Sequence, residues 1–420
     1  MTHLRRIDIW KYIATSLVCF AIIAPLLSKD IGKIAAGLIL TGGLLTYLFS
    51  LLGLISFEKN SRPEKLFVLG SLAIFGNILI SFLLFGDIFN SDGKTDLYVY
   101  LLVPLFLYPI IRSSQIDKNT VISCLCIAAI ITGTVGIYEY WLTEGRVGYM
   151  FHGQPIPFGN LALCTGFACL AFLNLDNSKV ANSLLIISAS FGIIASILSQ
   201  TRGGLIAIPL FMLILITFNH KYFLRKTLIA PMITGLLIIA STLFFSGVVE
   251  KVNSRLSASI ENTSSFYDNS NKKTSSGVRL SLWSIAVDGW KESPLMGKGV
   301  TQFYDYKMEH ITKGSQPEYL QRFKHAHNEY VEILFTRGLI GISLFTLLIS
   351  SLIWFYLKQA KNSDTALTGL IITSGYLVFS LTESFFSLHT SLLYFLTINA
   401  VLIYLLSNNS RACKAKYNAT

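Results

Sequence analysis

The chain has few charged residues and few cysteines. Charged residues make up 14% of its 420 residues, whereas hydrophobic residues make up 52%. A soluble globular domain carries about 25% charged residues, so an ordinary water-facing surface is excluded. Six cysteines are present, five of them in apolar runs and none in the one long polar stretch. Their positions build neither a disulfide framework nor a zinc-binding pattern.

Motifs of nucleotide and metal chemistry are also missing. The sequence has no Gly-x-x-x-x-Gly-Lys phosphate loop, and no Asp-x-Asp or His-Glu-x-x-His pattern in an outer loop. We therefore expect no ATP hydrolysis, no cofactor and no metal. The net charge of +11 is carried mostly by short links between apolar runs. That distribution is typical of a membrane protein and argues against nucleic-acid binding.

What the chain has instead is twelve apolar runs, most of them close to the roughly 20 residues that cross a bilayer. They predict an all-α integral membrane protein with about 12 transmembrane helices. The domain prediction is residues 1–248 for spans 1–9, 249–332 for a long polar loop, and 333–420 for spans 10–12 and a tail. The predicted spans are residues 8–28, 34–56, 66–85, 97–113, 120–141, 156–176, 183–200, 203–219, 227–248, 333–357, 366–387 and 391–406.

Lysine and arginine counts predict the orientation of these spans. With the N-terminus inside, the cytoplasmic segments hold 16 of these residues and the short outer links hold 5. Cytoplasmic loops are enriched in Lys and Arg, so both termini are expected in the cytoplasm and residues 249–332 outside it. The first apolar run is interpreted as a retained helix, because no small-x-small cleavage site follows it cleanly.

Part of the long loop has a helical pattern. Its first part, residues 254–276, is rich in Ser, Thr and Asn, whereas residues 279–292 have an apolar side chain at each helical turn. The pattern predicts a short amphipathic helix on the membrane surface or over a cavity, with Ser275 or Ser276 as its cap. The repeating apolar residues are Leu282, Trp283, Ala286 and Trp290, and the residues that end the helix are Pro294, Gly297 and Gly299.

Two histidines precede the tenth span, in the segment His325-Ala326-His327-Asn328-Glu329. Nine residues separate Asn328 from the segment Gly338-x-x-Gly341. A helix N-terminus and nearby arginines favour the neutral form of an imidazole. Neutral His327 could then accept a proton as a general base. A histidine that merely caps the helix is the alternative, and the residues alone leave both open.

Five further ionisable residues are candidates. Arg202 occupies the three-residue link between spans 7 and 8, where it could meet an anion or snorkel to lipid headgroups. Arg279 is predicted in the first turn of the loop helix, where the dipole disfavours a cation unless it binds something anionic. Arg337 and Glu383 lie near the outer ends of spans 10 and 11, as functional groups or as an ion pair with each other. Arg146, in the outer link before span 6, is a weaker candidate.

At these residues the sequence resembles the bacterial O-antigen ligases, within the superfamily that includes O-antigen polymerases. The segments that carry the resemblance are Thr201-Arg202-Gly203-Gly204, Gly277-Val278-Arg279-Leu280 with Trp283, Ser293-Pro294-Leu295-Met296-Gly297-x-Gly299, and His325-x-His327-Asn328-Glu329 with its Gly-x-x-Gly spacing. The detailed likeness covers roughly residues 185–345, and the remainder agrees in hydropathy and span number.

The resemblance implies a GT-C-like, metal-independent, inverting glycosyltransferase at the periplasmic face of the bacterial inner membrane. Its donor would be O-antigen polysaccharide on undecaprenyl pyrophosphate, and its acceptor the lipid A-core oligosaccharide. Arg202 and Arg279 would bind the pyrophosphate, His327 would deprotonate the acceptor hydroxyl, and His325 would assist. Supporting roles would fall to Arg146, Asn328, Arg337 and Glu383, with membrane lipids as further partners.

Two other functions remain open. An O-antigen polymerase would use the same donor, although the His-Asn-x9-Gly-x-x-Gly spacing resembles the ligases more closely. A lipid-linked glycan transporter is a more distant alternative. Transporters usually show broken spans and charges near the membrane centre, whereas the notable charges here cluster toward one face.

Overall fold

The structure is a computed structural model that describes residues 2–56, 58–85, 95–174, 177–223 and 274–418, and within these ranges it contains helices and no β-strand. The helices are α1 (Thr2–Leu27), α2 (Lys29–Leu51), α3 (Arg62–Phe85), α4 (Thr95–Tyr98), α5 (Val103–Ser113), α6 (Lys118–Thr143), α7 (Pro155–Ala171), α8 (Lys179–Leu198), α9 (Arg202–Phe223), α10 (Ser275–Glu292), α11 (Phe303–Thr312), α12 (Glu329–Ala360), α13 (Asp364–Ser380) and α14 (His389–Asn418). Short 3₁₀ turns occur at Val99–Leu102, Glu318–Leu320 and Phe385–Ser387.

Eleven of the twelve predicted spans overlap helices of the structure, although span 11 was drawn to residue 387 and α13 ends at Ser380. The ninth, residues 227–248, lies outside the described residues. Within the described part of the chain, nine helical stretches are long and apolar enough to cross a membrane. The all-helical, multi-pass prediction is confirmed, while the total of twelve spans stays a prediction.

The last helix, α14, is the centre of the bundle. Between His389 and Arg411 its apolar stretch is 94% buried, compared with 33% for α2. It packs against α1, α2, α3, α5 and α13. The surrounding helices expose large apolar side chains on their outer faces, as expected where lipid replaces water.

Helices α7 and α8 pack at very short range because glycines meet where they cross. A Cβ atom built on Gly192 would lie 2.6 Å from the carbonyl oxygen of Ala162 and 3.0 Å from the Cα of Gly166. Small residues at such crossings let two backbones approach closely, which is how membrane helices gain packing energy.

Helix α12 is broken at Gly338, and a segment of the long loop completes it. Gly338 has φ 58° and ψ −155°, which is not helical. Residues 294–299 lie against the break. Leu339 N donates to the Pro294 oxygen at 2.8 Å, and Lys298 N donates to the Phe335 oxygen at 2.7 Å. Gly338 thus permits a backbone contact with the loop, while a Cβ atom on Gly341 would lie 3.4 Å from the side-chain oxygen of Asn77 in α3.

The described part of the loop has a small core of its own. Apolar residues of α10 and α11 pack with Phe335 of α12, and Leu282 and Ala286 are fully buried there. The amphipathic helix is therefore confirmed, but this part of its apolar face contacts protein and is not available to a membrane surface. A glycine permits the approach, since a Cβ on Gly289 would lie 2.4 Å from the Phe335 ring.

Two details predicted for this helix were wrong. Its cap is Thr274, whose Oγ1 accepts a hydrogen bond from Gly277 N at 3.1 Å, rather than Ser275 or Ser276. Helix α10 then starts at Ser275, so Arg279 is its fifth residue and not part of the first turn. The argument that the helix dipole disfavours a cation at Arg279 therefore does not apply, because that effect fades beyond the first turn.

Candidate active site

The link between α8 and α9 is a tight turn. Gln200 has φ 52°, and Thr201 is held by Ser199, with 2.8 Å between the two hydroxyl oxygens. Arg146 supports the turn, since its Nε donates to the backbone carbonyl oxygen of Ser199 at 2.7 Å. Arg146 thus holds the turn that precedes Arg202.

The segment that carries the two histidines is fixed at its central residue. Trp283 of α10 donates its indole N–H to the Ala326 oxygen at 2.9 Å, and Ala326 N donates to the Glu332 carboxylate at 2.8 Å. His327 follows with φ 53°, the left-handed conformation. Histidine adopts it more readily than most residues. Both imidazoles project from this fixed turn, with ring centroids 4.0 Å apart.

Asn328 and Glu329 connect the histidine segment to the link between α13 and α14. Asn328 caps α12, because its Oδ1 accepts from Tyr330 N and Val331 N, while its Nδ2 donates to the Leu381 oxygen at 3.2 Å. Glu329 accepts from Phe386 N at 2.9 Å. The α13–α14 link is therefore held against the start of α12.

That link brings a carboxylate to the histidines. The His327 Nδ1 lies 3.0 and 3.1 Å from the two oxygens of Glu383, and the His325 Nδ1 lies 3.4 Å from the nearer one. Glu383 is 4% exposed, while the histidine side chains are 27% and 20% exposed for His325 and His327. The arrangement is a buried carboxylate beneath two imidazoles that solvent can reach.

Two opposing effects set the charge of Glu383. Burial raises the pKa of its carboxyl, but the hydrogen bond from His327 and the charges of both histidines together lower it to about 2. Ser384 N also donates to the carboxylate at 3.0 Å. Glu383 is thus ionised at neutral pH, and the Nδ1 of His327 is the donor in their hydrogen bond.

Arg279 brings a cation to the same carboxylate. Burial lowers the pKa of the Arg279 guanidinium, and its attraction to Glu383 acts in the opposite direction. Because a guanidinium titrates far above neutral pH, Arg279 stays charged. One site therefore contains the half-buried Arg279 of α10, the two histidines that precede α12, and Glu383 in the α13–α14 link.

The start of α9 lies beside the same link. A Cβ atom on Gly203 would lie 2.6 Å from the Thr382 hydroxyl oxygen, one residue before Glu383. Arg202 is the first residue of α9 and is partly buried. The structure therefore brings Arg202, Arg279, His325, His327 and Glu383 to one end of the bundle, from four segments of the chain.

Arg337 does not pair with Glu383, and that alternative was wrong. Its Nη2 lies 3.9 Å from the carboxylate of Glu329, which precedes Arg337 by about two turns of α12. Arg337 and Glu329 both line an apolar cavity with Tyr98, Phe345 and Phe386. Arg337 thus belongs to the interior beneath the site, because α12 turns its side chain towards α3 and α14.

Lys307 is a residue that the sequence interpretation missed. It is fully buried, and its ammonium donates to the carbonyl oxygens of Leu320, Gln321 and Phe323, just before the histidine segment. A buried lysine is rare unless it is paired. Its spacing to those carbonyls shows no periodic pattern, so only the folded loop reveals the contact.

A histidine with one nitrogen on a buried carboxylate is suited to proton transfer. The carboxylate fixes the tautomer and stabilises the imidazolium that forms when the second nitrogen takes a proton. The neighbouring cations are suited to binding an anion, because guanidinium groups match phosphate oxygens with paired hydrogen bonds. A hydroxyl acceptor and a phosphorylated donor would fit these two halves.

Fold and site together are those of a multi-pass, all-helical membrane protein with an enzyme-like site at one end. Residues 186–346 match the family model described as O-antigen ligase, a stretch that includes Arg202, Arg279 and His327. This match covers less than half of the chain and confirms the resemblance expected from the sequence. The chain is also 25% identical, over 368 residues, to a Haemophilus influenzae protein described as "Uncharacterized protein", covering 83% of this chain and 88% of that protein.

Proposed function

We propose that the chain is an O-antigen ligase, which transfers O-antigen polysaccharide from undecaprenyl pyrophosphate to the lipid A-core oligosaccharide. The observation that carries this proposal is the His327–Glu383 contact at 3.0 Å beside the charge of Arg279. It supplies a base for a sugar hydroxyl next to a cation for a pyrophosphate. We assign the site to the periplasmic face of the inner membrane, because the lysine and arginine counts put its loop outside.

In the proposed reaction, His327 is the general base. Its Nε2 takes the proton of the acceptor hydroxyl while its Nδ1–H stays on Glu383. The hydroxyl oxygen attacks the anomeric carbon, and the bond from that carbon to the pyrophosphate oxygen breaks. Attack from the face opposite the leaving group inverts the anomeric configuration, and undecaprenyl pyrophosphate leaves with the electron pair of the broken bond.

Arg279 and Arg202 are proposed to bind the pyrophosphate. It is already a good leaving group, and cations that offset its growing charge lower the barrier further. The partial burial of Arg279 strengthens this effect, because charges interact more strongly where water is excluded. His325 would hold the base, since its ring lies beside that of His327.

A strain from which the gene has been deleted tests the proposal. A ligase defect leaves lipid-linked polymer and bare lipid A-core, and the gel ladder of long-chain lipopolysaccharide disappears. Restoring the gene on a plasmid should restore the ladder, and the plasmid carrying His327→Ala should not. A ladder that persists in the deletion strain would refute the ligase function.

The same strain separates the alternatives. Lipid A-core that bears one repeat unit would indicate an O-antigen polymerase, which uses the same donor. A lipid-linked glycan transporter predicts transport of labelled donor by the purified protein in vesicles. The grouping of base and cations at one end of the bundle favours chemistry at a surface over passage through the core.

A further inference from the structure

The two histidines and Glu383 form a cluster with the composition of a metal site. Each offers one ligand atom, and these three atoms lie within 4.8 Å of one another. No short sequence motif reveals the set, because the third residue lies 56 positions after His327. We propose that this cluster binds a divalent transition-metal ion such as Zn²⁺, and that the bound ion blocks the site.

Two of the three distances between ligand atoms are close to those of tetrahedral coordination, and the third is no longer than 4.8 Å. Zinc bonds to nitrogen and carboxylate oxygen at about 2.0–2.2 Å, so two ligands of a tetrahedron stand about 3.3–3.5 Å apart. The His325 Nδ1 and the Glu383 oxygen are separated by 3.4 Å, and the His327 Nδ1 and the same oxygen by 3.0 Å. An outward shift of roughly 0.3–0.5 Å by one imidazole would bring the second pair to that spacing.

The three ligand types also match. Two histidines and one glutamate with an open fourth position form a well-known zinc set. The imidazoles are partly exposed while the carboxylate is buried, so an ion can reach the nitrogens from solvent and bind to a fixed oxygen. Ser384 N donates to that carboxylate at 3.0 Å, an outer contact of the kind that orients metal ligands.

The segment between the histidines is already fixed. Ala326 is held on both sides, by the indole of Trp283 at 2.9 Å and by the carboxylate of Glu332 at 2.8 Å. Little conformational entropy is therefore left to lose when an ion joins the two rings. The charge of Arg279 opposes a cation here, since it interacts with Glu383. We therefore expect reversible binding in the micromolar range and not a resident ion.

Binding and inhibition are separate consequences. An ion on His327 and Glu383 displaces the proton that they share, and metal binding at histidines releases protons. Inhibition rests on the proposed function, because it requires that His327 be the base of the transfer reaction. Binding rests only on the geometry of the three ligands.

The test is a zinc titration of the full-length protein in detergent, purified without a histidine tag and treated with EDTA. Calorimetry should show one equivalent of Zn²⁺. Replacement by Co²⁺ should give the visible absorption of a tetrahedral site. His325→Ala, His327→Ala and Glu383→Gln should each weaken binding at least tenfold, and gel filtration should confirm that each variant keeps its fold.

His389 provides a matched control. It lies 3.1 Å from the Asp96 carboxylate, so it is also a histidine–carboxylate pair, but among the described residues no second histidine joins it in a metal-type cluster. His389→Ala should leave the zinc affinity unchanged. No binding by the wild type, or equal affinity in all variants, would overturn the site.

A transfer assay with the same protein separates this inference from the proposed function. Zinc at saturation should stop transfer, and EDTA should restore it. Unchanged transfer with zinc bound would overturn the blocking role. Zinc binding by a protein that transfers no glycan under any condition would contradict the ligase function and leave the metal site standing.

Discussion

At the scale of single residues, His327 has both an unusual backbone conformation and a side-chain hydrogen bond that fixes its ring. Its φ of 53° turns the side chain towards the α13–α14 link, where Glu383 holds one ring nitrogen at 3.0 Å. The other nitrogen is left for a substrate. The tautomer of His327, the proposed base, is thus set by a residue on a different helix connection.

His327→Ala removes the proposed base. We expect the variant to fold and insert, but to lose transfer by roughly 10²–10⁴-fold, the usual contribution of general-base catalysis. The measurement is long-chain lipopolysaccharide on gels, together with rates from purified protein. His389→Ala, which alters a histidine outside the site, is the control. Long-chain ladders that persist in the His327 variant would contradict its role as the base.

Arg279→Ala should weaken use of the donor. The loss of a charge-assisted phosphate contact costs about 1.5–3 kcal/mol, which corresponds to roughly 10–150-fold in the transfer rate at limiting donor. Arg202→Ala should behave similarly, and Arg279→Lys should recover only part of the loss because an ammonium binds as a point charge. If the dependence on donor concentration is unchanged in both alanine variants, the pyrophosphate assignment fails.

Glu383→Gln should reduce stability in a pH-dependent way. The folded pKa of the carboxyl is about 2, below its ordinary value of 4.5. The wild type therefore has up to about 3 kcal/mol of stabilisation above pH 4.5, and loses it as the pH falls towards 2. The variant should be less stable than the wild type at pH 6, and its stability should change less than that of the wild type between pH 4.5 and 3. Thermal unfolding in detergent measures both, and parallel curves for the two proteins would contradict the expectation.

Sequence patterns could identify only part of this site. The two arginines and the histidines stand in recognisable motifs, so their joint placement was predictable. The pairing of Glu383 with His327 was not predictable, because 56 residues separate the two. Arg337 was an equal candidate partner, since it and Glu383 both lie near the outer ends of their predicted spans. Asn328 and Glu329 hold the α13–α14 link against the start of α12 and so place Glu383 beside His327. These contacts are seen only in the folded chain.

At the scale of helices, the break in α12 is the feature that hydropathy missed. Residues 333–357 are predominantly apolar, so the sequence predicts an unbroken span. The structure instead has a non-helical glycine at position 338, with the carbonyls of Pro294 and Leu295 accepting from Leu339 N and Ile340 N. The spans themselves were predictable because length and apolarity determine them, whereas this break depends on contacts with the loop.

Gly338→Ala should disrupt this junction. A Cβ there would lie 2.4 Å from the Leu295 oxygen, and the φ of 58° with ψ −155° is one that essentially only glycine adopts. We expect a loss of at least about 2 kcal/mol and faster proteolysis of the loop. Gly76→Ala in α3 is the control, since nothing lies within 4 Å of a Cβ there. Equal thermal stability of the two variants would contradict the proposed junction.

At the scale of the whole molecule, the orientation in the membrane rests on charge alone. Fusions to alkaline phosphatase, which is active only outside the cytoplasm, can test it. A fusion after Glu318 in the loop should be active, and one after Lys361 between α12 and α13 should be inactive. The reverse pattern would place the histidines in the cytoplasm and exclude the proposed donor and acceptor.

The break at Gly338 also constrains how the chain can be divided. Residues 294–299 supply hydrogen-bond partners that α12 cannot find within itself, so loop and helix depend on each other across about forty positions. A chimera that exchanged only the loop with a relative would leave the helix incomplete, whereas one that ends beyond Gly341 keeps the junction intact. The family match extends to residue 346, just past that boundary. The loop and the outer part of α12 therefore have to be exchanged together.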